Sequence, residues 1–231
     1  MNPFSSLYYR YVFLRENPIA RAITWLVGDP SVPSREAWES QYKDGQWARL
    51  NDLCEQAHNA VVLSYIAHLR PGSSVLEIGC GEGSLIRRLK QVGYRNYTGI
   101  DISEFAISRC RQFSDEKTFF LACDAESYVP DTVFDVVVLN ESIYYFVQPI
   151  ITMQRYADCL APDGLFVISL FDKDRTRPIR RRLTAAFPLV DETVVSNSKG
   201  TWHCLVLAPK RTGDSATPVE RRDFQQKVVS T

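Results

Sequence analysis

The fold is decided by the stretch Val75-Leu76-Glu77-Ile78-Gly79-Cys80-Gly81-Glu82-Gly83 of this 231-residue chain. The stretch predicts a mainly apolar strand, followed by glycines at alternate positions and then by a helix. Because glycine has no Cβ, the backbone turns sharply at these positions and a ligand approaches it closely. A glycine turn between a strand and a helix predicts a site for a nucleotide-like cofactor.

The residues around these glycines favour a positively charged ligand over a dinucleotide. A dinucleotide site has the pattern G-x-G-x-x-G/A, and this chain has Ser84 at its last position. Glu77 and Glu82 bring carboxylates to the place of a pyrophosphate, which disfavours an anion. Asp101, at the end of the next predicted strand, is suited to accept hydrogen bonds from both ribose hydroxyls of a nucleoside.

Predicted strands alternate with predicted helices downstream of the glycines. The apolar runs 118–122, 134–139 and 164–170 predict further strands, and such alternation gives a doubly wound parallel sheet. Ligands of such sheets lie at the carboxyl ends of the strands, where the chain has Glu77, Asp101, Asp124 and Asn140, each at or just after a strand end. Near the C-terminus, 191–196 and 201–207 flank a turn and predict an antiparallel hairpin.

These features together resemble the class I S-adenosylmethionine-dependent methyltransferases. The resemblance covers about residues 38–209 and rests on four motifs in the order of the family: Glu77-x-Gly79-x-Gly81-x-Gly83, Asp101, Cys123-Asp124-Ala125 and Phe134-Asp135-Val136-Val137-Val138-Leu139-Asn140. It implies an α/β fold with a Rossmann-like, doubly wound sheet of about seven strands, a C-terminal antiparallel hairpin and an N-terminal helical extension. It also implies S-adenosylmethionine as the cofactor.

The resemblance assigns cofactor contacts to residues around the glycines. It implies that Glu77 faces the amine of the methionine part, directly or through water. It also implies that the backbone of Gly79, Cys80 and Gly81 lies against the ligand. Asp101 would accept from the ribose hydroxyls, and its neighbour Ile102 would lie against the adenine.

Five further residues receive cofactor roles by resemblance. Asp124 would accept from the adenine amino group, and the backbone amide of Ala125 would serve a ring nitrogen. Asn140 would hold the amine end of the methionine. Tyr42 would bind the methionine carboxylate and Trp47 would cover the cofactor. The alternatives are that Asp124 is a turn residue, that Asn140 only ends a strand, and that the tryptophans of this region fill the core.

Methyl transfer makes few demands on catalytic side chains. It is a direct displacement that depends on alignment and desolvation, and a base is needed only where the acceptor arrives protonated. The candidate bases are Glu141, next to the methyl group by analogy, Tyr144 with its neighbour Tyr145, and His203 in the last predicted strand. The two tyrosines are equally suited as aromatic walls, and His203 as a buried strand residue.

The composition of the chain limits the classes of partner, the compartment and the ligands that we expect for it. Lys and Arg number 27, as do Asp and Glu, so the net charge is zero and favours neither nucleic acid nor an anionic membrane. Six cysteines without a C-x-x-C pair predict reduced thiols and a cytoplasmic location. No metal site is predicted, because His58 and His68 lack ligand spacing. No apolar stretch approaches the roughly 20 residues of a membrane span.

The chain divides into three predicted regions. Residues 1–60 form a helical arm, interpreted as a lid over the substrate, as a packing helix pair or as an interfacial membrane helix, and a homodimer through this arm is possible. Residues 61–209 form the methyltransferase domain. Residues 210–231 form a polar, flexible tail.

The predicted acceptor is a small molecule, methylated on oxygen or nitrogen. Relatives that act on nucleobase amines have Asn/Asp-Pro-Pro-aromatic where this chain has Asn140-Glu141-Ser142-Ile143. The segment 140–146 is instead similar to that of methyltransferases that modify sugars, oligosaccharide signals and other secondary metabolites, including nodulation N-methyltransferases, and the predicted acceptor is a sugar, a lipid-linked molecule or a secondary metabolite. The alternatives are a non-catalytic cofactor-binding or scaffold protein, and a protein or nucleic-acid methyltransferase that uses the basic cluster Arg175–Arg182.

Overall fold

The computed structural model describes residues 32–210, and the structural statements below refer to this part of the chain. Its strands are β1 (Ser74–Ile78), β2 (Asn96–Asp101), β3 (Thr118–Ala122), β4 (Phe134–Asn140), β5 (Leu160–Phe171), β6 (Leu189–Asn197) and β7 (Gly200–Leu207). Its α-helices are α1 (Arg35–Lys43), α2 (Leu53–Leu69), α3 (Ile86–Val92), α4 (Glu104–Cys110), α5 (Pro149–Ala157) and α6 (Arg177–Ala186).

The strands form one sheet in the order β3-β2-β1-β4-β5-β7-β6. Strands β1 to β5 are parallel, and β7 is antiparallel to both β5 and β6. The chain builds outward from β1 to β3 and then returns to β4 on the other side of β1. The sheet therefore has its switch point between β1 and β4, where ligands of such folds bind. This topology confirms the predicted doubly wound sheet with its C-terminal antiparallel hairpin.

Local sequence signals explain where several helices begin and end. The hydroxyl oxygen of Ser103 accepts a hydrogen bond from the Ala106 amide at 3.1 Å, so Ser103 caps α4 as its position predicts. Pro149 occupies the first turn of α5, where its missing N–H costs nothing. Helix α3 ends at Gly93, whose φ of 95° is accessible to glycine.

Apolar side chains cover both faces of the sheet. On one face, buried residues of the strands pack against α5 and α6, with Met153, Leu183 and Phe187 from that layer. On the other face, α2, α3 and the residue before α3 supply buried side chains, namely Val62, Leu63, Ile66, Leu85, Ile86 and Leu89. All five residues of β1 are buried, as expected for the central strand of a sheet covered on both sides.

The predicted N-terminal boundary lies inside a regular helix. The compact unit that contains the sheet begins at Arg35, and α2 runs without a break across the predicted division between residues 60 and 61. The helices predicted before residue 32 and the tail after residue 210 lie outside the described residues. Within residues 32–210, no helix has the length and apolar character needed to cross a bilayer.

Candidate active site

The glycine loop after β1 is packed between the ends of two neighbouring strands. The amides of Gly79 and Cys80 both donate to the carbonyl of Ile100 in β2, at 2.8 and 3.0 Å. On the other side, a Cβ built on Gly79 would lie 2.6 Å from the Cβ of Ser142, and the φ of Gly79 is 76°. Glycine is therefore required at this position by packing as well as by backbone conformation.

Asp101, at the end of β2, fixes the glycine loop from the side. Its Oδ2 accepts from the Gly81 amide and its Oδ1 accepts from the Ser103 amide, both at 2.9 Å. Burial raises the pKa of this carboxyl group to about 6, against the opposing effect of these hydrogen bonds. Each oxygen retains a lone pair, so the group is able to accept further hydrogen bonds from a ligand.

Glu77, in β1, is a buried carboxyl group beside the loop. Its side chain accepts a hydrogen bond from the hydroxyl of Tyr97. Burial raises the pKa of Glu77 to about 8, and nearby Asp101 adds to the increase. Within the described part of the chain, no basic side chain forms an ion pair with Glu77. The group is therefore largely protonated at neutral pH, and a nearby cation would favour its ionised form.

An aromatic cluster, Trp38, Tyr42, Trp47 and Tyr145, lies beside the loop and packs against Ile102. The rings of Trp38 and Tyr145 meet edge to face with centroids 4.8 Å apart. The hydroxyl oxygen of Tyr42 would lie 3.1 Å from a Cβ on Gly81, so this tyrosine reaches the loop. The Nε1 of Trp47 is buried and has no hydrogen-bond partner among residues 32–210.

Helix α1 carries Trp38 and Tyr42, and two side chains of this helix attach it to the end of β2. Arg35 donates from Nη1 to the carbonyl of Ile102 at 2.7 Å. The Glu39 carboxylate accepts from the amides of Glu104 and Phe105 at the start of α4, where the helix dipole favours negative charge. These contacts hold the two aromatic side chains over the site.

The turn after β3 brings Asp124 and Ala125 to the same edge of the sheet. The Cys123 amide donates to the carbonyl of Asp101 at 2.9 Å, which joins this turn to the end of β2. Asp124 is exposed and its Oδ1 accepts from the Glu126 amide at 2.8 Å, so it stabilises the turn. The carbonyl of Ala125 accepts from the hydroxyl of Tyr156 at 2.8 Å.

Glu141 follows β4 in an unusual backbone conformation. Its φ of 59° is the sole positive value at a non-glycine residue between residues 32 and 210. Its Oε2 accepts from the Tyr144 hydroxyl at 2.9 Å, and its Oε1 lies 3.2 Å from the Ser169 hydroxyl. Burial raises the pKa of Glu141 to about 7, and the negative charge of Glu55 contributes to the increase. Strained residues of this kind concentrate at functional sites.

Asn140 is held by side chains from two distant segments. Its Nδ2 donates to the Oδ1 of Asn59 in α2 at 2.7 Å, and its Oδ1 accepts from the hydroxyl of Ser169 in β5 at 2.7 Å. Asn59 in turn donates to the carbonyl of Glu55 at 2.9 Å. The side-chain amide of Asn140 is thus oriented by this network, while its backbone carbonyl is at the end of the strand.

Asn59 and Ser169 were not among the residues predicted from the sequence, and Arg175 was predicted only as one member of the basic cluster Arg175–Arg182. Asn59 shares the buried face of α2 with Val62 and Ile66, and a polar residue on an apolar helical face is a signal that was available. Arg175 lies over the rings of Tyr144 and Tyr145, at 5.2 and 5.7 Å from their centroids. No local signal distinguishes it from the other arginines of the cluster Arg175–Arg182.

The third candidate base, His203, is not brought together with Glu141. Its Nδ1 lies 2.6 Å from Oε1 of Glu192, which also accepts from Arg180 at 3.0 Å. Ser169, which contacts Glu141, is paired with the next residue of β7, Cys204. Because successive side chains of a strand point to opposite faces, His203 lies on the other face of the sheet.

The fold and this site define a Rossmann-like protein with a nucleoside-type cofactor site at the switch point of its sheet. Residues 47–211 match the family model described as a methyltransferase domain, which is more than half of the chain. The chain therefore belongs to this methyltransferase family. This confirms the resemblance to the class I S-adenosylmethionine-dependent methyltransferases, a family for which S-adenosylmethionine is the methyl donor.

Among characterised proteins, the chain is similar to the 27-O-demethylrifamycin SV methyltransferase of Amycolatopsis mediterranei. The two are 27% identical over 173 residues, which cover 67% of this chain and 64% of that enzyme. The chain thus spans slightly less than two thirds of that relative's length.

Two solved structures share the fold. The N-methyltransferase NodS from Bradyrhizobium japonicum WM9, in complex with S-adenosyl-L-homocysteine, aligns with a TM-score of 0.64 and 21% identity, over 71% of this chain and 92% of that chain. The 1,6-didemethyltoxoflavin-N1-methyltransferase of Burkholderia thailandensis aligns with a TM-score of 0.65 and 22% identity, over 77% and 87%.

Proposed function

We propose that this chain transfers the methyl group of S-adenosylmethionine to an oxygen or nitrogen of a small molecule, and that Glu141 accepts the proton that the acceptor loses. The observation that carries the proposal is the half-buried carboxyl group of Glu141, in a strained backbone conformation at the end of β4. Its pKa of about 7 suits a general base at neutral pH.

The residues at the ends of β1 and β2 fit the proposed cofactor. The glycine loop provides a surface without side chains, and the buried Nε1 of Trp47 is free to donate to a ligand. Bound S-adenosylmethionine supplies a methyl group on a positively charged sulfonium, which is complementary to buried carboxyl groups. In this proposal Glu77 faces its ammonium group, Asp101 accepts from its ribose, and Asp124, Ala125, Ile102, Cys80, Tyr42 and Asn140 keep the roles that the resemblance implies.

Tyr144 and Ser169 are proposed to position Glu141 rather than to act as bases. The hydroxyl of Tyr144 donates to Oε2 of Glu141 and thereby fixes the carboxylate orientation. Burial raises the pKa of Tyr144 well above its ordinary value, so the phenol stays protonated and remains a donor. His203 is a weaker candidate for the base, because it lies on the other face of the sheet from Ser169, which contacts Glu141.

Two observations favour a small acceptor over nucleic acid. The named acceptor of the Amycolatopsis relative is a rifamycin, which is a small molecule. In the basic cluster Arg175–Arg182, Arg177 pairs with Asp172 and Asp174, and Arg180 pairs with Glu192. Part of the positive charge is thus neutralised within the protein, which weakens its attraction for phosphates. A cytoplasmic location and a homodimer through the N-terminal arm stay predictions.

The proposal is tested by methyl release from labelled S-adenosylmethionine with a panel of small hydroxyl and amine acceptors. Wild type is expected to transfer the label, and Glu141→Gln is expected to bind S-adenosylhomocysteine normally but to transfer about 10²–10⁴-fold more slowly. Cofactor binding without transfer to any acceptor would favour the non-catalytic alternative. Transfer at the wild-type rate by Glu141→Gln would exclude Glu141 as the base.

A further inference from the structure

Arg175 is a positively charged group without a carboxylate partner in the described part of the chain. Within residues 32–210, no carboxylate accepts a hydrogen bond from it or lies within ion-pair distance. The nearest acidic residues in sequence are engaged elsewhere, since Asp172 and Asp174 pair with Arg177 at 2.8 and 3.0 Å. The contacts of Arg175 are instead with two tyrosines, with the rings of Tyr144 and Tyr145 and through a side-chain hydrogen bond with Tyr145.

Two tyrosines hold the guanidinium of Arg175. Its central carbon lies 5.2 Å from the ring centroid of Tyr144 and 5.7 Å from that of Tyr145, within the range of cation–π attraction. The two rings are themselves 4.6 Å apart, and Tyr145 packs edge to face on Trp38 of the aromatic cluster. Arg175 is half-buried, so it differs from a solvated surface arginine such as Arg181.

Arg175 and Glu141 contact the same side chain. The ring of Tyr144 lies under the guanidinium, while its hydroxyl donates to Oε2 of Glu141 at 2.9 Å. The proposed base and the arginine are therefore both held by Tyr144, the base at its hydroxyl and the arginine at its ring. Tyr144 thus links the position of Arg175 to that of the carboxyl group proposed to face the reacting atom of the acceptor.

We propose that Arg175 binds an anionic group of the methyl acceptor, a carboxylate or a phosphate, while the atom to be methylated faces Glu141. A guanidinium presents N–H donors in a planar fork that matches either anion with two parallel hydrogen bonds. Its contacts with the rings of Tyr144 and Tyr145 hold the guanidinium in place before the acceptor arrives. The inference rests on the proposed function, because it assigns the acceptor class of the same site.

The test compares acceptors that differ chiefly in the charge of one group. The panel contains hydroxyl- and amino-substituted aromatic and aliphatic carboxylic acids, their neutral methyl esters, and the corresponding phosphates, each supplied with labelled S-adenosylmethionine. The proteins are wild type, Arg175→Gln, Arg175→Lys and Arg181→Gln. Arg181→Gln removes the same charge from an exposed position of α6 and serves as the matched control.

Wild type is expected to use the anion at least about tenfold better than its ester in kcat/KM, the effect of one charge-assisted contact. Arg175→Gln should reduce this preference to near one through KM, and Arg175→Lys should restore part of it. S-adenosylhomocysteine affinity should be unchanged in all variants, and Arg181→Gln should retain the preference. Comparing carboxylates with phosphates identifies which anion the site takes.

Two results would overturn the inference while leaving the proposed function intact. One is methyl transfer with an anion-to-ester ratio that is the same in wild type and Arg175→Gln, or that favours the ester in wild type. The other is weaker S-adenosylhomocysteine binding by Arg175→Gln with an unchanged ratio, which would assign Arg175 to the cofactor carboxylate. Cofactor binding with no transfer to any acceptor would contradict the proposed function, and this inference with it.

Discussion

The two halves of the candidate site are built in different ways. The cofactor half, at the ends of β1 and β2, depends on backbone amides that donate to Asp101 and to the Ile100 carbonyl. The acceptor half, at the end of β4, depends on side chains of Asn59 and Ser169 that come from α2 and β5 and meet at Asn140, whose proposed cofactor role places it where the two halves join. The first arrangement requires particular residues at fixed spacing, whereas the second requires only that distant polar groups meet.

Glycine substitution in the cofactor half should have the largest effect. Gly79→Ala places a Cβ 2.6 Å from the Ser142 Cβ at a φ of 76°, so we expect a loss of about 3–5 kcal/mol in the free energy of unfolding and loss of cofactor binding. Gly45 has a φ of 70° and nothing within 4 Å of its added Cβ. Gly45→Ala should therefore cost only about 1 kcal/mol by chemical denaturation. Equal losses in both variants would show that packing against Ser142 is unimportant.

In the acceptor half, the largest effect is expected on the pH dependence of the rate. Glu141 accepts a proton only when ionised, so the wild-type rate should rise with pH through about 7 and then become constant. Glu141→Gln should lack this rise as well as most of the rate. The measurement is single-turnover methyl transfer over about three pH units around the expected pKa. If Glu141→Gln showed the same rise of the rate with pH, the rise would belong to another ionisable group.

Glu77 should make the stability of the ligand-free protein decrease with pH. Its pKa is about 8 in the folded protein against an ordinary 4.5, so the folded state binds the proton more tightly than the unfolded state. The resulting stabilisation is complete below pH 4.5 and is lost as the pH rises to about 8. Denaturation of wild type and Glu77→Gln across this window should show wild type losing stability relative to the variant. If the free energies of unfolding of the two proteins changed with pH in parallel, the result would contradict a Glu77 carboxyl group that is buried without a basic partner.

A smaller effect is expected from the buried amide network of the acceptor half. Asn59→Ala removes the acceptor of the Asn140 Nδ2 donor, and an unsatisfied buried donor costs about 1–3 kcal/mol. Asn51→Ala is the matched control, because Asn51 is exposed and should change stability by less than about 0.5 kcal/mol. The free energies of unfolding of both variants are measured by urea denaturation. A negligible loss in the free energy of unfolding of Asn59→Ala would mean that water replaces Asn59 as the acceptor of the Asn140 side-chain amide.

The difference between the cofactor half and the acceptor half also explains which parts of the site could be predicted from the sequence. The glycine loop, Asp101 and the Ser103 cap are recognised from a few adjacent residues, because backbone geometry dictates those residue types. The Asn59 and Ser169 contacts span 81 and 29 residues to Asn140, and polar side chains meet at such separations in many possible combinations. Arg175 is likewise defined only by the tyrosines that it contacts.

The start of strand β5 illustrates a second reason why some features could not be predicted from the sequence. Strand β5 begins at Leu160, whereas the apolar run predicted a start at 164. The residues Pro162-Asp163-Gly164 between the two positions are of types that favour a turn. In the structure these residues lie at an irregularity, where the register with β4 shifts between Phe134 and Val136. Turn-forming residues are tolerated at such a bulge, so local preference and sheet pairing disagree there.

The most direct test of the division between the two halves is calorimetric titration with S-adenosylhomocysteine, which requires no acceptor. Asp101→Asn should weaken binding by at least about tenfold, since it replaces an acceptor of two backbone amides and of the proposed ribose hydroxyls. Glu141→Gln should bind within about twofold of wild type. Equal weakening in the two variants, or none in Asp101→Asn, would contradict a cofactor site at the ends of β1 and β2 that is separate from the proposed base.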